Sequence, residues 1–147
     1  MIQTRILFFV LAGAVLIGAV SLFSQSNTAS SVLHLPNKEI SLIVVSTSET
    51  RTKGLSGMES LPENTAMLFS FNEPDRYGIW MKDMKFSIDI LWLDEKGKII
   101  HIENDISPDT YPKVFTPLEI SSYVLEANVG FAKENDLKVG KTLNFSK

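Results

Sequence analysis

The sequence contains no cysteine. This absence excludes disulfide bonds, thiol chemistry and lipid attachment at an N-terminal cysteine, so the folded part must be held together by its hydrophobic core alone. The sequence also lacks the patterns of a Ser-His-Asp triad, a phosphate-binding loop, a zinc-protease helix and a calcium loop. No class of catalyst is therefore indicated by a motif, and we expect no cofactor.

Clusters of basic residues are absent too. The 147 residues include 14 Lys and Arg against 17 Asp and Glu, a net charge of −3. Arg5 is the only charged residue before residue 34, so residues 34–147 keep 17 acidic residues and the 14 basic ones less Arg5, a net charge near −4. An acidic domain without a basic patch is a poor partner for nucleic acid or for an anionic lipid surface. We expect neither to be the main partner.

One long apolar run is present, at the N-terminus. Residues 6–23 are 18 residues without a charge. As a helix they would measure about 27 Å at roughly 1.5 Å per residue, close to the roughly 30 Å of a bilayer core. Arg5 precedes the run, and the next Lys or Arg is Lys38. The positive-inside bias therefore predicts a cytoplasmic N-terminus, with the rest of the chain across the membrane.

Two interpretations of residues 1–23 remain open. A signal anchor would use the whole run, whereas a signal peptide needs an apolar region of only about 7–15 residues and would be cleaved near Ala19-Val20-Ser21. The domain is extracytoplasmic in both cases, anchored in the first and secreted or periplasmic in the second. Residues 24–37 are predicted to form a tether, and residues 38–147 a single globular domain.

Short apolar runs separated by turn residues recur along the domain. They predict strands at residues 39–46, 66–71, 77–82, 87–93, 98–103, 122–126 and 141–145. Ser46 or Thr47 is suited to cap a short helix, and Gly54 to end it. Residues 94–97 are suited to form a hairpin turn, and residues 105–117 a long loop. We expect a mostly β (α+β) fold: a compact antiparallel sheet or partly open small barrel with one or two short helices, preceded by an N-terminal apolar helix.

Residues 51–89 carry the most motifs. They include Gly54-Leu55, Met67-Leu68-Phe69 and Trp80-Met81-Lys82, and matching residues continue downstream at Asp94, Gly97, Val124-Leu125-Glu126, Gly130 and Gly140. The pattern resembles the family of domain of unknown function 192 over about residues 39–145. This resemblance implies a small, mostly β fold, often exported or anchored, with no established activity. Met58 stands where the family tends to have a second Arg, so an arginine pair for an anion would be reduced here to Arg51.

Two carboxylates lie within apolar runs, Asp89 and Glu126. Burying a carboxylate unpaired is costly, and Arg51 and Lys82 are the natural counter-charges. Three interpretations remain open. The residues form a structural ion pair, as such clusters commonly do. Alternatively, they line a polar pocket in which Arg51 holds an anionic or carbonyl group, or the two carboxylates act as an acid–base pair.

Aromatic and metal-ligating patterns are weaker. Trp80, Tyr77 and Trp92 together could form a platform for a sugar ring, although core packing is the commoner role. A His-x-Glu-x-Asp pattern shares one predicted strand face, at His101, Glu103 and Asp105. It suits a divalent metal but more often marks a solvated face, so we predict no metal site.

These features favour an extracytoplasmic, membrane-tethered or exported binding or accessory domain; the sequence leaves open whether it is an enzyme, and a non-enzymatic role is favoured. The predicted ligand-binding residues are Arg51, Trp80, Lys82, Asp89 and Glu126. The expected partner is a small anionic or glycan ligand, or an envelope protein, with residues 6–23 in the membrane. One alternative is an envelope-polymer hydrolase or lyase using Asp89 and Glu126 as acid and base. Another is an accessory subunit of a membrane protein complex.

Overall fold

The computed structural model describes residues 31–146. Within this range the strands are β1 (Val32–Leu35), β2 (Lys38–Val45), β3 (Thr65–Asp75), β4 (Ile79–Trp80), β5 (Ile88–Leu93), β6 (Ile99–Ile106), β7 (Val114–Phe115), β8 (Ser121–Asn128) and β9 (Asn144–Ser146). The helices are α1 (Ser48–Lys53), α2 (Phe131–Glu134) and a 3-10 helix at Pro108–Thr110. Seven strands form an open sheet in the order β6-β5-β8-β3-β2-β1-β9, and β4 and β7 form a separate ribbon. The predicted mostly β class is confirmed.

One strand pair of the main sheet departs from the antiparallel expectation. β2 and β3 are parallel, with Ser41 opposite Thr65 and Val45 opposite Phe69, whereas the other neighbours in the main sheet are antiparallel. A parallel pair needs a crossover long enough to bring the chain back to the starting end of the sheet. Residues 46–64, which contain α1, provide it, and they cross over one face of the sheet.

The sheet is covered on both faces, so the molecule has two hydrophobic cores. Leu91 and Leu125 belong to the first core, together with residues of α2 and the C-terminal segment. Trp92 and Val124 belong to the second core, which is covered by the loop after α1 and by the β4–β7 ribbon. Because both faces are covered, every residue of β5 is buried. This explains why β5 is a nearly continuous apolar run rather than an alternating one.

Some element boundaries differ from those expected. β1 lies inside the predicted tether of residues 24–37, so the folded part begins before residue 38. β3 continues through Pro74, beyond the predicted strand end at residue 71, because a register irregularity between Ser70 and Asp75 accommodates the proline. The third predicted strand is reduced to β4, and the predicted loop of residues 105–117 contains the 3-10 helix and β7.

The predicted local signals for turns and caps are confirmed. Thr47 caps α1, its hydroxyl accepting from the Thr50 N–H at 3.1 Å, and Gly54 ends the helix. At the hairpin turn, Gly97 has φ +78°, and a Cβ there would lie 2.6 Å from the Leu143 carbonyl oxygen. Only glycine fits this close approach without a shift of the backbone.

The predicted N-terminal apolar helix, at residues 6–23, lies outside the described residues. Among residues 31–146, no helix is long and apolar enough to cross a membrane.

Candidate functional site

A cavity of about 280 Å³ opens on the face of the sheet that α1 crosses. α1 and the residues after it form one side, β3 and β8 form the floor, and residues 77–88 form the other side. Apolar and aromatic side chains form about half of the walls, with Leu55, Phe69, Phe71, Ile79 and Ile88 among them. Three of the predicted ligand-binding residues line this cavity: Arg51, Trp80 and Glu126.

Glu126 is the polar group at the floor. It lies in β8 between Met67 of β3 and Ile90 of β5, and only 5% of its surface is exposed. No hydrogen bond or ion pair within residues 31–146 involves its carboxyl group. Among the described residues, every side-chain N or O atom that is fully enclosed by protein has a hydrogen-bond partner. Because the carboxyl of Glu126 has no partner, its oxygen atoms are not fully enclosed, and they open on the cavity that Glu126 lines. Burial raises the pKa of Glu126 to about 8, so the group is protonated at neutral pH.

Arg51 is held rigidly at the side of the cavity. Its Nη1 donates to the carbonyl oxygens of Ser46 and Ser70, the latter at 3.2 Å. Its Cζ lies 5.0 Å from the centroid of the Phe71 ring. No described acidic side chain forms an ion pair with the guanidinium, and Nε and Nη2 have no partner within residues 31–146. The side chain is thus a fixed cation with one donor edge unused.

Stacked aromatic rings form the adjoining wall. Phe71 and Tyr77 stack with ring centroids 3.4 Å apart and planes 8° from parallel. The Tyr77 hydroxyl donates to the Glu73 carbonyl, and the Tyr77 carbonyl accepts from Trp92 Nε1 at 2.7 Å. Burial and the charge of Asp75 raise the pKa of Tyr77, against an opposing effect of Arg51. Trp92 itself is fully buried in the core, which is the commoner role for such a residue, so the alternative of a three-ring platform does not hold for Trp92.

Asp89 lies on the opposite face of the sheet. In the register of β5 and β8 it stands beside Ala127, one position away from Glu126. Its carboxylate accepts from the backbone N–H of Ala132 at 2.9 Å and of Asp105 at 3.0 Å. The first bond anchors the start of α2 to the sheet and the second ties β5 to β6, so the role of Asp89 is structural. The predicted acid–base pair of Asp89 and Glu126 is therefore wrong, since the sheet separates the two groups.

Lys82 does not pair with either carboxylate. Its side chain is exposed, with Nζ 5.8 Å from the centroid of the Trp80 ring, and it does not line the cavity. Among residues 31–146, no ion pair joins Arg51 or Lys82 to Asp89 or Glu126, so the structural ion-pair interpretation is also wrong. Burial of each carboxylate is instead accommodated by backbone hydrogen bonds at Asp89 and by protonation at Glu126.

Two aromatic residues of the cavity wall, Phe69 and Phe71, were not among the predicted site residues. Phe69 and Phe71 are two positions apart in β3, so they lie on the same face of the strand and both reach the cavity. The period of two would have indicated both residues once the cavity side of β3 was known.

At the predicted metal pattern, His101 Nε2 contacts Glu103 Oε1 at 3.1 Å. Within the described part of the chain, no three His, Asp or Glu side chains are grouped to hold a metal ion.

Comparison with protein families gives a match over most of the chain. The model of the DUF192 family, described as Uncharacterized ACR, matches residues 31–145. This chain belongs to the DUF192 family. The family resemblance of the motifs is thus confirmed, and the match includes β1, which lies ahead of the predicted domain start.

Solved structures similar to this DUF192 protein come from two bacteria. One is a proposed transcription regulator from Sinorhizobium meliloti 1021, 24% identical with a TM-score of 0.72, covering 79% of this chain and 92% of that chain. The other is a protein of unknown function from Novosphingobium aromaticivorans DSM 12444, 21% identical with a TM-score of 0.69, covering 78% and 83%. At these identities the likeness shows the fold alone. No curated protein matches the chain.

Proposed function

We propose that this DUF192 protein is a non-enzymatic binding module whose cavity takes a small ligand. The observation that carries the proposal is Glu126, a carboxyl group that is 5% exposed, has no described partner and opens on the cavity. Buried polar groups in folded proteins nearly always have a hydrogen-bond partner. A polar group without one, at the floor of a cavity with aromatic walls, is suited to receive a group from a ligand.

The side chains around the cavity support binding rather than catalysis. Asp89 lies across the sheet, which leaves Glu126 without a second carboxylate for acid–base chemistry. Ser56, a hydroxyl in the lining, donates to the Lys82 carbonyl at 2.8 Å and is not bonded to a base. A hydroxyl nucleophile needs an adjacent base within hydrogen-bond reach. The lining therefore contains groups that recognise a ligand, with no activated nucleophile among its described residues.

The proposed location is outside the cytoplasm, on the strength of residues 6–23 and the basic residue before them. The absence of cysteine makes a direct test simple. A single Cys replacing the exposed Glu119 should react in intact cells with a maleimide that cannot cross the membrane. The cysteine-free parent is the control. Labelling that requires lysis of the cells would contradict the location.

The binding role is tested by blocking the cavity. The full chain, extracted gently in mild detergent, is incubated with a small-molecule extract of the producing cells and studied by native mass spectrometry. Thr52→Trp would place a large side chain in the lining from an exposed position of α1. Glu49→Trp, on the same helix but outside the lining, is the matched control. We expect added mass on the parent and on Glu49→Trp, and none on Thr52→Trp. Equal added mass on all three proteins would refute the cavity as the binding site.

A second candidate, an accessory subunit of a membrane complex, is favoured by the β4–β7 ribbon. Trp80, Tyr111 and Val114 are 48%, 46% and 53% exposed, and the first two rings lie 6.0 Å apart in an edge-on arrangement. Adjacent exposed aromatic residues are typical of interaction sites. Val114→Asp should remove a partner that co-purifies from membranes while leaving the melting temperature unchanged. Co-purification that survives this substitution would count against the ribbon as the contact.

A further inference from the structure

The charges around the cavity favour an anion. Three charged residues line the cavity: Arg51 and Lys53 from α1, and Glu126 from β8. The strand neighbours of Glu126, Met67 and Ile90, carry no charge. Tyr77 across the cavity is neutral near pH 7, as a tyrosine ordinarily is, and its pKa is raised further from the ordinary value. With Glu126 protonated, the lining carries positive charge only. A cationic ligand would therefore meet repulsion, and an anionic ligand attraction.

The unused edge of Arg51 has the shape that a carboxylate requires. Both described hydrogen bonds of the guanidinium come from Nη1, which leaves the Nε–Nη2 edge without a partner in residues 31–146. Two parallel N–H groups on that edge match the two oxygens of a carboxylate, and such bidentate pairs are among the stronger hydrogen-bonded contacts in proteins. The bonds from Nη1 and the contact with Phe71 hold the edge in place before a ligand arrives.

The size and walls of the cavity limit the rest of the ligand. A volume of about 280 Å³ is slightly below the roughly 300–1,000 Å³ of ordinary ligand sites, which suits one ring rather than a polymer chain. The stacked Phe71 and Tyr77, together with Phe69 and Trp80, offer flat apolar surface to such a ring. The protonated carboxyl of Glu126 supplies one O–H donor at the floor.

We infer that the ligand is a small organic carboxylate with a ring or similarly compact apolar body, its carboxylate bound by the Nε–Nη2 edge of Arg51 and an acceptor atom facing Glu126. The inference rests on the proposed binding function and names the ligand class of that same site. The carboxylate belongs to a free organic acid or to the C-terminal residue of a peptide, and the chemistry of recognition is the same for both.

Four probes separate the charge states and the two sources. Benzoate is the free acid, N-acetylphenylalanine represents a chain terminus, benzamide is the neutral analogue of benzoate, and benzamidine is the cationic one. Binding to the full chain in mild detergent is measured by ligand-observed NMR and calorimetry near pH 7. We expect at least one of the two carboxylates to bind about tenfold or more tightly than benzamide, and benzamidine to bind most weakly. The tighter of the two carboxylates identifies the source.

Two variants test the named contacts. Arg51→Lys keeps the charge but removes the planar donor edge, so the preference for benzoate over benzamide should fall severalfold. Lys133→Gln, which removes an exposed cation outside the lining, should leave that preference unchanged. Glu126→Gln should abolish the weakening of benzoate binding above about pH 8, where the parent carboxyl ionises. Melting curves confirm that each variant is folded, and the ratio of the two affinities is independent of a modest loss of stability.

Three results would overturn the inference. They are equal or tighter binding of benzamide or benzamidine, a carboxylate preference that Arg51→Lys leaves intact, and the absence of binding by all four probes at millimolar concentration. The native mass spectrometry of Thr52→Trp separates a failure of this inference from a failure of the binding function. If Thr52→Trp removes the added mass, the cavity binds a ligand, and only the proposed ligand class is wrong. If the added mass remains on Thr52→Trp, the proposed binding function is wrong as well.

Discussion

Glu126→Gln should remove a loss of stability that the protein undergoes as the pH rises. Burial raises the pKa of this carboxyl to about 8 in the folded state, against an ordinary value of 4.5. Between those two values the folded protein holds a proton that the unfolded chain has released. Unfolding therefore releases a proton, and the free energy of unfolding falls as the pH rises. The contribution is fully present below pH 4.5 and is lost as the pH rises through about 8.

The size of the effect follows from the two pKa values. The interval from 4.5 to about 8 corresponds to roughly 5 kcal/mol, at about 1.4 kcal/mol per pH unit. This is comparable with the whole stability of many domains, about 5–15 kcal/mol. Glutamine has nearly the same shape and stays neutral, so the variant should match the parent near pH 5 and exceed its stability by several kcal/mol near pH 9.

Urea unfolding followed by tryptophan fluorescence, on the full chain in mild detergent, measures both free energies between about pH 5 and pH 9. The difference between variant and parent is the informative quantity, because the other titrating groups act equally on both proteins. Glu119→Gln, at an exposed position, is the control and should give a difference that is independent of pH. A difference between Glu126→Gln and the parent that stays constant across this range would refute the reasoning, since Glu126 would then titrate alike in both states.

Three further substitutions test the structural roles of single residues. Asp89→Ala leaves two backbone N–H groups without their acceptor, so urea unfolding should show a loss of about 2–5 kcal/mol, and a loss below about 1 kcal/mol would contradict the anchoring role. Gly97→Ala and Gly140→Ala both place a side chain at positive φ, but only the first meets a backbone oxygen, at 2.6 Å. Gly97→Ala should therefore lower the melting temperature more than Gly140→Ala does. Equal decreases would show that a small shift of the backbone removes the close contact at little cost in free energy. Thr47→Ala removes the cap of α1 and should cost about 0.5–2 kcal/mol in the same unfolding assay; a cost equal to that of Asp89→Ala would mean that more than a local cap was lost.

The elements predicted correctly are those whose signals are local. The cap at Thr47, the stop at Gly54 and the hairpin at residues 94–97 depend on hydrogen bonds and dihedral angles within a few residues. The apolar runs likewise predicted most strands to within a few positions. The errors involve pairing with distant strands: β1 lies between β2, its hairpin partner, and β9 near the other end of the domain, and β3 continues past Pro74 because Asp75 pairs with Ser121. Neither β9 nor Ser121 can be identified as a partner from the sequence next to the strand that it pairs with.

The candidate site divides in the same way. The sequence by itself determined that Asp89 and Glu126 sit in buried strands, and it singled out Arg51, Trp80 and Glu126, which line one cavity. Only the tertiary structure decided that Asp89 belongs to the other face. In β5 and β8, Asp89 stands opposite Ala127 rather than Glu126, and successive side chains of a strand point to opposite faces. A register shift of one residue would exchange those faces, and register is set by pairing across the whole sheet.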